Sequence, residues 1–308
     1  MNPYRFPLSA IRTALFQGHQ IACSFRKPPA KRTVVLNYHS VRPKNLFFNS
    51  TSTEVFERHL EWIAEHCEVV DFTQVLHDNF AVKPRVSIVF DDGFLDNLEY
   101  AVPLLKKYSL KATFFISTGF LVRDPVILDI FARTFQATSE DFLDKDALQE
   151  LYLSGMGIGA HTHSHRNLLS LPPFEQREEL FRSKEMLEDL LGCSVPTLAY
   201  PFGVPGKAFD LTTCRIAEEV GFLYAGSVCW RGVLEGDSSL RVPRFTVVNE
   251  SVAELGAIVH GALDPIGFFQ EWRFSGRRTS VRKPQLLALS LVELSGGLSS
   301  SPAFFGLL

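Results

Sequence analysis

Arg85-Val86-Ser87-Ile88-Val89-Phe90-Asp91-Asp92-Gly93 is the stretch on which the fold turns. A mostly apolar, β-branched run ends abruptly in two carboxylates and a glycine. A buried strand that delivers polar groups at its carboxyl end is how an α/β barrel builds a site. The same form recurs on both sides. Thr33–Tyr38 runs into His39, Lys111–Ser117 is another apolar strand, and Gly157 leads through Ala160 into His161-Thr162-His163-Ser164-His165. Glu68–Phe72, Thr197–Tyr200 and Leu223–Val228 also read as strands. Between them, apolar residues recur at helical spacing. One helix is capped by Thr53 and carries Val55, Phe56, Leu60, Ile63 and Ala64 inward. Others are expected at Asp96–Tyr108, kinked by Pro103, at Asp146–Leu153, at Pro173–Leu191 with Gly192 as C-cap, and at Leu211–Val220. Strands alternating with helices indicate a parallel sheet or barrel, so a βα barrel of six to eight strands over about 33–262 is expected.

The ends of the chain read differently. Residues 1–32 form an N-terminal arm closed by a basic, proline-containing stretch. Beyond Pro265 the periodicity fades, so residues 263–308 form a C-terminal extension. Arg273, Arg277, Arg278, Arg282 and Lys283 are expected there on the surface. The 31 basic and 34 acidic residues nearly cancel, which gives no electrostatic case for nucleic acid or an anionic membrane as partner. An apolar fraction of 46% with 21% charged residues excludes wholesale disorder. Cys23, Cys67, Cys193, Cys214 and Cys229 are scattered, odd in number and without C-x-x-C spacing, against a disulfide framework or a cysteine zinc site. No run reaches the roughly 18 apolar residues of a transmembrane segment, and no secretory h-region of about 7–15 is visible. A cytoplasmic location is the default expectation, with export or the membrane periphery left open.

Three polar clusters follow strands: His39, Asp91-Asp92-Gly93, and the run of three histidines. Imidazole is the commonest metal-binding side chain, and two imidazoles with one carboxylate leave a divalent ion an open position for water. If Asp92 takes the metal, Asp91 stays unligated and can accept a proton from the attacking water. Neighbouring side chains diverge in that way only on a tight turn, which Gly93 permits. Gly155-Met156-Gly157-Ile158-Gly159-Ala160 matches a dinucleotide string, but it runs from helix to strand, the reverse of a phosphate site.

Phe90-Asp91-Asp92-Gly93 with His161-Thr162-x-x-His165 resembles the polysaccharide deacetylase family, the NodB homology domain of carbohydrate esterase family 4. The resemblance covers roughly 33–250, and Lys111-Ala112-Thr113-Phe114-Phe115-Ile116 resembles the strand that follows the aspartate motif there. It implies a deformed (β/α) barrel as a single catalytic domain. The implied reaction is metal-dependent removal of N-acetyl groups from the amino sugars of a polysaccharide or glycan precursor. Asp91 is then the general base, and Asp92, His161 and His165 hold the metal, with zinc expected and cobalt or nickel as alternatives. His163 falls at a non-ligand position. Leu36-Asn37-Tyr38-His39-Ser40-Val41 resembles the poly-N-acetylglucosamine deacetylase branch, which makes His39 the general acid in preference to His260.

Two features depart from the family pattern. Ala199-Tyr200-Pro201-Phe202-Gly203 stands where Arg-Pro-Pro-Tyr-Gly is common, so the arginine that orients the base is missing there. Arg244 is a candidate substitute, the Phe202 N–H a candidate oxyanion donor, and Tyr200 and Trp230 candidate substrate contacts. The same electrophile and base also suit another C–N bond or an O-acetyl ester. A carbohydrate-binding relative without activity would have no use for Asp91.

Overall fold

The computed structural model describes residues 32–44, 49–77, 82–129 and 137–274. The basic N-terminal arm up to residue 31, Cys23 and the Arg277-Arg278 cluster lie outside them. The strands are β1 (Thr33–Tyr38), β2 (Val41–Arg42), β3 (Thr51–Ser52), β4 (Glu68–Val69), β5 (Arg85–Phe90), β6 (Thr113–Ile116), β7 (Gly157–Ala160), β8 (Thr197–Ala199), β9 (Tyr224–Val228) and β10 (Val242–Thr246). Seven of them close a parallel barrel in the order β1-β5-β6-β7-β8-β9-β10, with β10 returning to β1. The barrel is deformed at β5. Its first two residues, Arg85 and Val86, pair with β4, and its last two, Val89 and Phe90, pair with β6. β2 and β3 form a separate two-stranded pair.

Alternation along the strands decides what fills the barrel. Val35, Val89, Phe115, Ala199 and Val242 share one buried cluster and form a dry interior layer. Their in-between neighbours Val34, Leu36, Ile88, Phe90, Phe114 and Leu198 belong to the larger cluster packed against the helices. Phe90 stacks on Phe114 at 4.6 Å, and Tyr38 and Phe56 meet the same aromatic group. Each such fully buried side chain contributes about 1.5–3 kcal/mol. Two residues further along the interior face come Asn37, Asp91, His161 and Arg244, so the polar layer sits directly above the dry one.

The helices are α1 (Thr53–His66), α2 (Val102–Lys107), α3 (Thr118–Leu121), α4 (Lys145–Leu153), α5 (Pro173–Leu191), α6 (Leu211–Val220), α7 (Val252–Val259) and α8 (Asp264–Phe274). α1 is capped by Ser52, whose side chain accepts from the Val55 N–H, rather than by Thr53. The expected helix at Asp96–Tyr108 is instead a π-helical turn over Asn97–Ala101 followed by α2. Pro103 therefore falls in the first turn of α2, where its missing N–H costs nothing, and makes no mid-helix kink. Glu68–Phe72 yields only β4, because Phe72 starts a 3-10 turn. Gly192 ends α5 at φ 66, as its position after the periodic run predicts.

β10 and the last two helices go beyond the sequence reading. α8 packs Gly267 against Arg231, and the Gly267 carbonyl accepts from Cys229 Sγ. Arg32 reaches across the barrel's base to Asp264 and to the Val259 carbonyl. Among the described residues no single helix is long and apolar enough to cross a membrane.

Candidate active site

Asp91 is the first residue past β5, and its N–H still bonds to the Tyr38 carbonyl of β1 at 3.0 Å. Asp92 and Gly93 then take φ of 77° and 83° in succession. The turn rests on Asp92 as much as on Gly93. It throws the two carboxylates apart, one into the barrel and the other toward the histidines. A non-glycine residue in this region is strained, and such residues gather at functional sites. Thr162 (φ 64°), His165 (φ 54°) and Phe202 (φ 61°) show the same conformation at the same rim.

Arg244, a fully buried side chain of β10, holds Asp91 with both ends of its guanidinium. Nη1 donates to Oδ1 at 2.8 Å and Nη2 to Oδ2 at 3.1 Å. Asn37 Nδ2 adds a third bond, to Oδ2 at 2.9 Å. Arg244 reaches inward only because β9 carries Gly226 beside it. A Cβ on Gly226 would lie 2.5 Å from Arg244 Nε. Burial alone would push the Asp91 carboxyl up, but the Arg244 charge, the nearby His161 and His39 and the Arg244 hydrogen bonds together outweigh it and hold the group below the ordinary carboxylate range. Arg244 thus holds Asp91 in place of an arginine at Ala199, from a strand 153 positions away in sequence.

Asp92 Oδ1 lies 3.1 Å from His165 Nε2 and 3.4 Å from His161 Nε2. One donor atom from each of these residues falls within 4.8 Å of the others. His161 Nδ1 lies 2.8 Å from the Ala199 carbonyl. A carbonyl only accepts, so Nδ1 carries the proton and Nε2 turns its lone pair toward Asp92. Asp92 Oδ1 is buried without a hydrogen bond. An orphaned carboxylate oxygen facing two imidazole nitrogens suits a divalent ion bound by two histidines and one aspartate. Burial raises the Asp92 carboxyl, while the His165 charge and the close approach of both imidazoles carry it well below its usual value. The loop bearing His165 is tied down by Glu179 of α5, which accepts from the N–H groups of His163 and Ser164 at 3.1 and 2.7 Å. His163 itself turns away, with Nδ1 at 2.9 Å from Thr118 Oγ1.

His39 follows β1 on the interior face and lines the same cavity, about 420 Å³, as Asp91, Asp92, His161, His165 and Phe202. Its Nδ1 is buried without a partner, and its carbonyl is held by Asn97 Nδ2 at 2.8 Å. Burial lowers its pKa below the ordinary histidine value, against the opposing pull of Asp92 and Asp91. His260 ends α7 beside Trp62 and is absent from the cavity wall. Phe202 is half exposed and sets its ring edge-on to His165 at 5.1 Å. Two aromatic expectations need correction. Tyr200 belongs to the wall, but its ring stacks on Phe209 and its hydroxyl donates to the Leu240 carbonyl at 3.1 Å, so that group is spent inside the protein. Trp230 does not line the cavity; its ring packs on the core, and its main-chain N–H donates to Gln270 Oε1 of α8. The sequence reading missed Asn37 and Gly226. A polar residue facing inward in an otherwise apolar strand was the only signal for the first.

The profile of the family described as Polysaccharide deacetylase matches residues 79–225. Over that segment the chain is similar to the polysaccharide deacetylase family. YxkH of Bacillus subtilis, which carries a polysaccharide deacetylase name, is 26% identical over 202 residues, 63% of this chain and 63% of its own length. The poly-β-1,6-N-acetyl-D-glucosamine N-deacetylase of Staphylococcus aureus strain MRSA252 is 25% identical over 281 residues, covering 80% of this chain and 92% of that protein. Among solved structures, the Streptococcus pyogenes deacetylase PplD in complex with acetate aligns with a TM-score of 0.62 at 22% identity, over 76% of this chain and 99% of that one. The segment matched by the polysaccharide deacetylase profile contains Asp91, Asp92, His161 and His165, whereas His39 and Arg244 lie on either side of it.

Proposed function

We propose that this chain is a metal-dependent hydrolase that removes N-acetyl groups from the amino sugars of an N-acetylated polysaccharide or glycan precursor. One observation carries the reading: a carboxylate clamped by Arg244 shares a cavity with the Asp92, His161 and His165 cluster. A binding module has no need of both. Held by those three residues, a divalent ion, with zinc expected and cobalt or nickel as alternatives, would polarise the acetyl carbonyl and make water more acidic.

The chain's own groups do the rest. Asp91, ionised and oriented by Arg244, takes a proton from the attacking water. His39 protonates the departing nitrogen, because an amine anion is too poor a leaving group to depart unaided. Its lowered pKa makes the imidazolium a stronger donor, at the cost of a smaller protonated fraction at neutral pH. The Phe202 main-chain N–H is the proposed donor to the developing oxyanion, and its exposed ring offers a sugar-facing wall. A neutral glycan needs no steering field, in keeping with the near-balanced charge.

Acetate release from an N-acetylglucosamine oligomer by zinc-loaded protein tests this reading, with Asp91→Asn and Asp92→Ala in parallel. Acetate from the wild type alone is expected, with stoichiometric zinc lost in Asp92→Ala. Undiminished turnover in Asp91→Asn removes the base assignment, and full zinc retention in Asp92→Ala removes the ligand assignment.

A further inference from the structure

An ionised carboxylate offers about four lone-pair positions, two on each oxygen. Arg244 Nη2 and Asn37 Nδ2 occupy both positions on Asp91 Oδ2, at 3.1 and 2.9 Å. Oδ1 takes only Arg244 Nη1, at 2.8 Å. Among the described residues nothing else bonds to it, so one position on Oδ1 stays open in a residue that lines the cavity. We infer that Asn37 is a positioning residue that confines proton abstraction to Oδ1 of Asp91, an inference resting on the deacetylase reading above.

Asn37 is suited to this by where it sits. Its amide orientation is determined, because an acceptor-only carboxylate must face the nitrogen. Its main chain is fixed on both sides of β1, in register with Val89 of β5 and with its carbonyl accepting from the Val247 N–H at 2.8 Å. The side chain is fully buried, so it has no alternative solvent partner. In the proposed step an O–H bond of the attacking water breaks and its proton joins Oδ1. The electron pair released forms the bond to the acetyl carbon, and the carbonyl π bond breaks with its pair moving onto the acetyl oxygen. Without Asn37, Oδ2 regains an open position and the carboxylate can present either oxygen. Only one of them then lies where the water is.

The test uses Asn37→Ala and the isosteric, acceptor-only Asn37→Asp, beside wild type and Asp91→Asn, on an N-acetylglucosamine oligomer. Expected is a fall in kcat of about 10- to 100-fold with KM within about twofold, and larger in Asn37→Asp, where two carboxylates face each other. Zinc binding by calorimetry should be unchanged, and a crystal structure of Asn37→Ala should show the Asp91 carboxylate rotated or a water at Oδ2. Wild-type kcat in both variants, with Asp91→Asn inactive, overturns the inference and leaves the deacetylase reading standing. A raised KM at wild-type kcat overturns it too, by making Asn37 a substrate contact. If the wild type releases no acetate, the deacetylase reading fails instead. An Asp91 carboxylate unmoved in the Asn37→Ala crystal, with no water at Oδ2, then overturns the Asn37 role independently.

Discussion

Two buried arginine–aspartate pairs lie close together in this barrel, Arg244 with Asp91 and Arg42 with Asp96. Their chemistry is the same and their completeness differs. Asp96 is saturated by the chain: Ser40 Oγ and Arg42 Nε reach Oδ2 at 2.6 Å each, while the Val41 N–H and Asn97 Nδ2 reach Oδ1 at 3.2 and 3.0 Å. Nothing is left over, and the result is a knot that ties residues 40–42, just past His39, to the turn before α2. Asp91 has three bonds and one position to spare, at the wall of a cavity. Burial dominates at Asp96 and raises its pKa despite Arg42, whereas at Asp91 Arg244 together with His161 and His39 overcomes burial and lowers it. A closed set of hydrogen bonds makes structure, and a set left one short leaves a carboxylate oxygen free to accept a proton.

Four substitutions break or sharpen that contrast. Asp91→Asn should cost about 10³-fold in acetate release with the fold intact by circular dichroism; a loss below tenfold would make Asp91 a second structural knot. Arg244→Lys keeps the charge but loses the two-pronged fork, and a drop of about 10²-fold in kcat is expected, read by steady-state kinetics. Gly226→Ala pushes a methyl into the Arg244 side chain and should lower kcat about tenfold, with a crystal structure showing the Arg244–Asp91 contacts lengthened. An unmoved arginine there would mean that β9 yields instead. Asp96→Asn should lower stability by about 1.5–3 kcal/mol in urea unfolding while activity stays within about threefold. An activity loss as large as that of Arg244→Lys would erase the distinction between the pairs.

How much of this was legible in the chain depends on how local each signal is. Asp91-Asp92 and His161/His165 announce themselves, because polar clusters directly after apolar strands have few other uses. The helix Pro173–Leu191 and its glycine stop were readable for the same reason. β10 was not: Pro243 and Arg244 are both poor strand residues by propensity. Arg244 is tolerated in the barrel only because Asp91, remote in sequence, neutralises it. Asn37 carries no message until its partner is known. Tyr200 and Trp230 look like sugar-facing aromatics until the Leu240 carbonyl is seen to claim the Tyr200 hydroxyl and Trp230 is seen packed on the core, away from the cavity wall.

The closure of the barrel by β1 also bears on how the protein is made. β1 leaves the ribosome early and waits for β10, its neighbour on one side, until almost the whole ring has been synthesised. Until then Asp91 lacks the guanidinium that meets it in the closed ring, and contacts this distant in sequence form late and slowly. A chain released before residue 244 would hold every member of the Asp92, His161 and His165 cluster and still lack the guanidinium that clamps Asp91. One ion pair thereby reports that translation has run to the end of the ring.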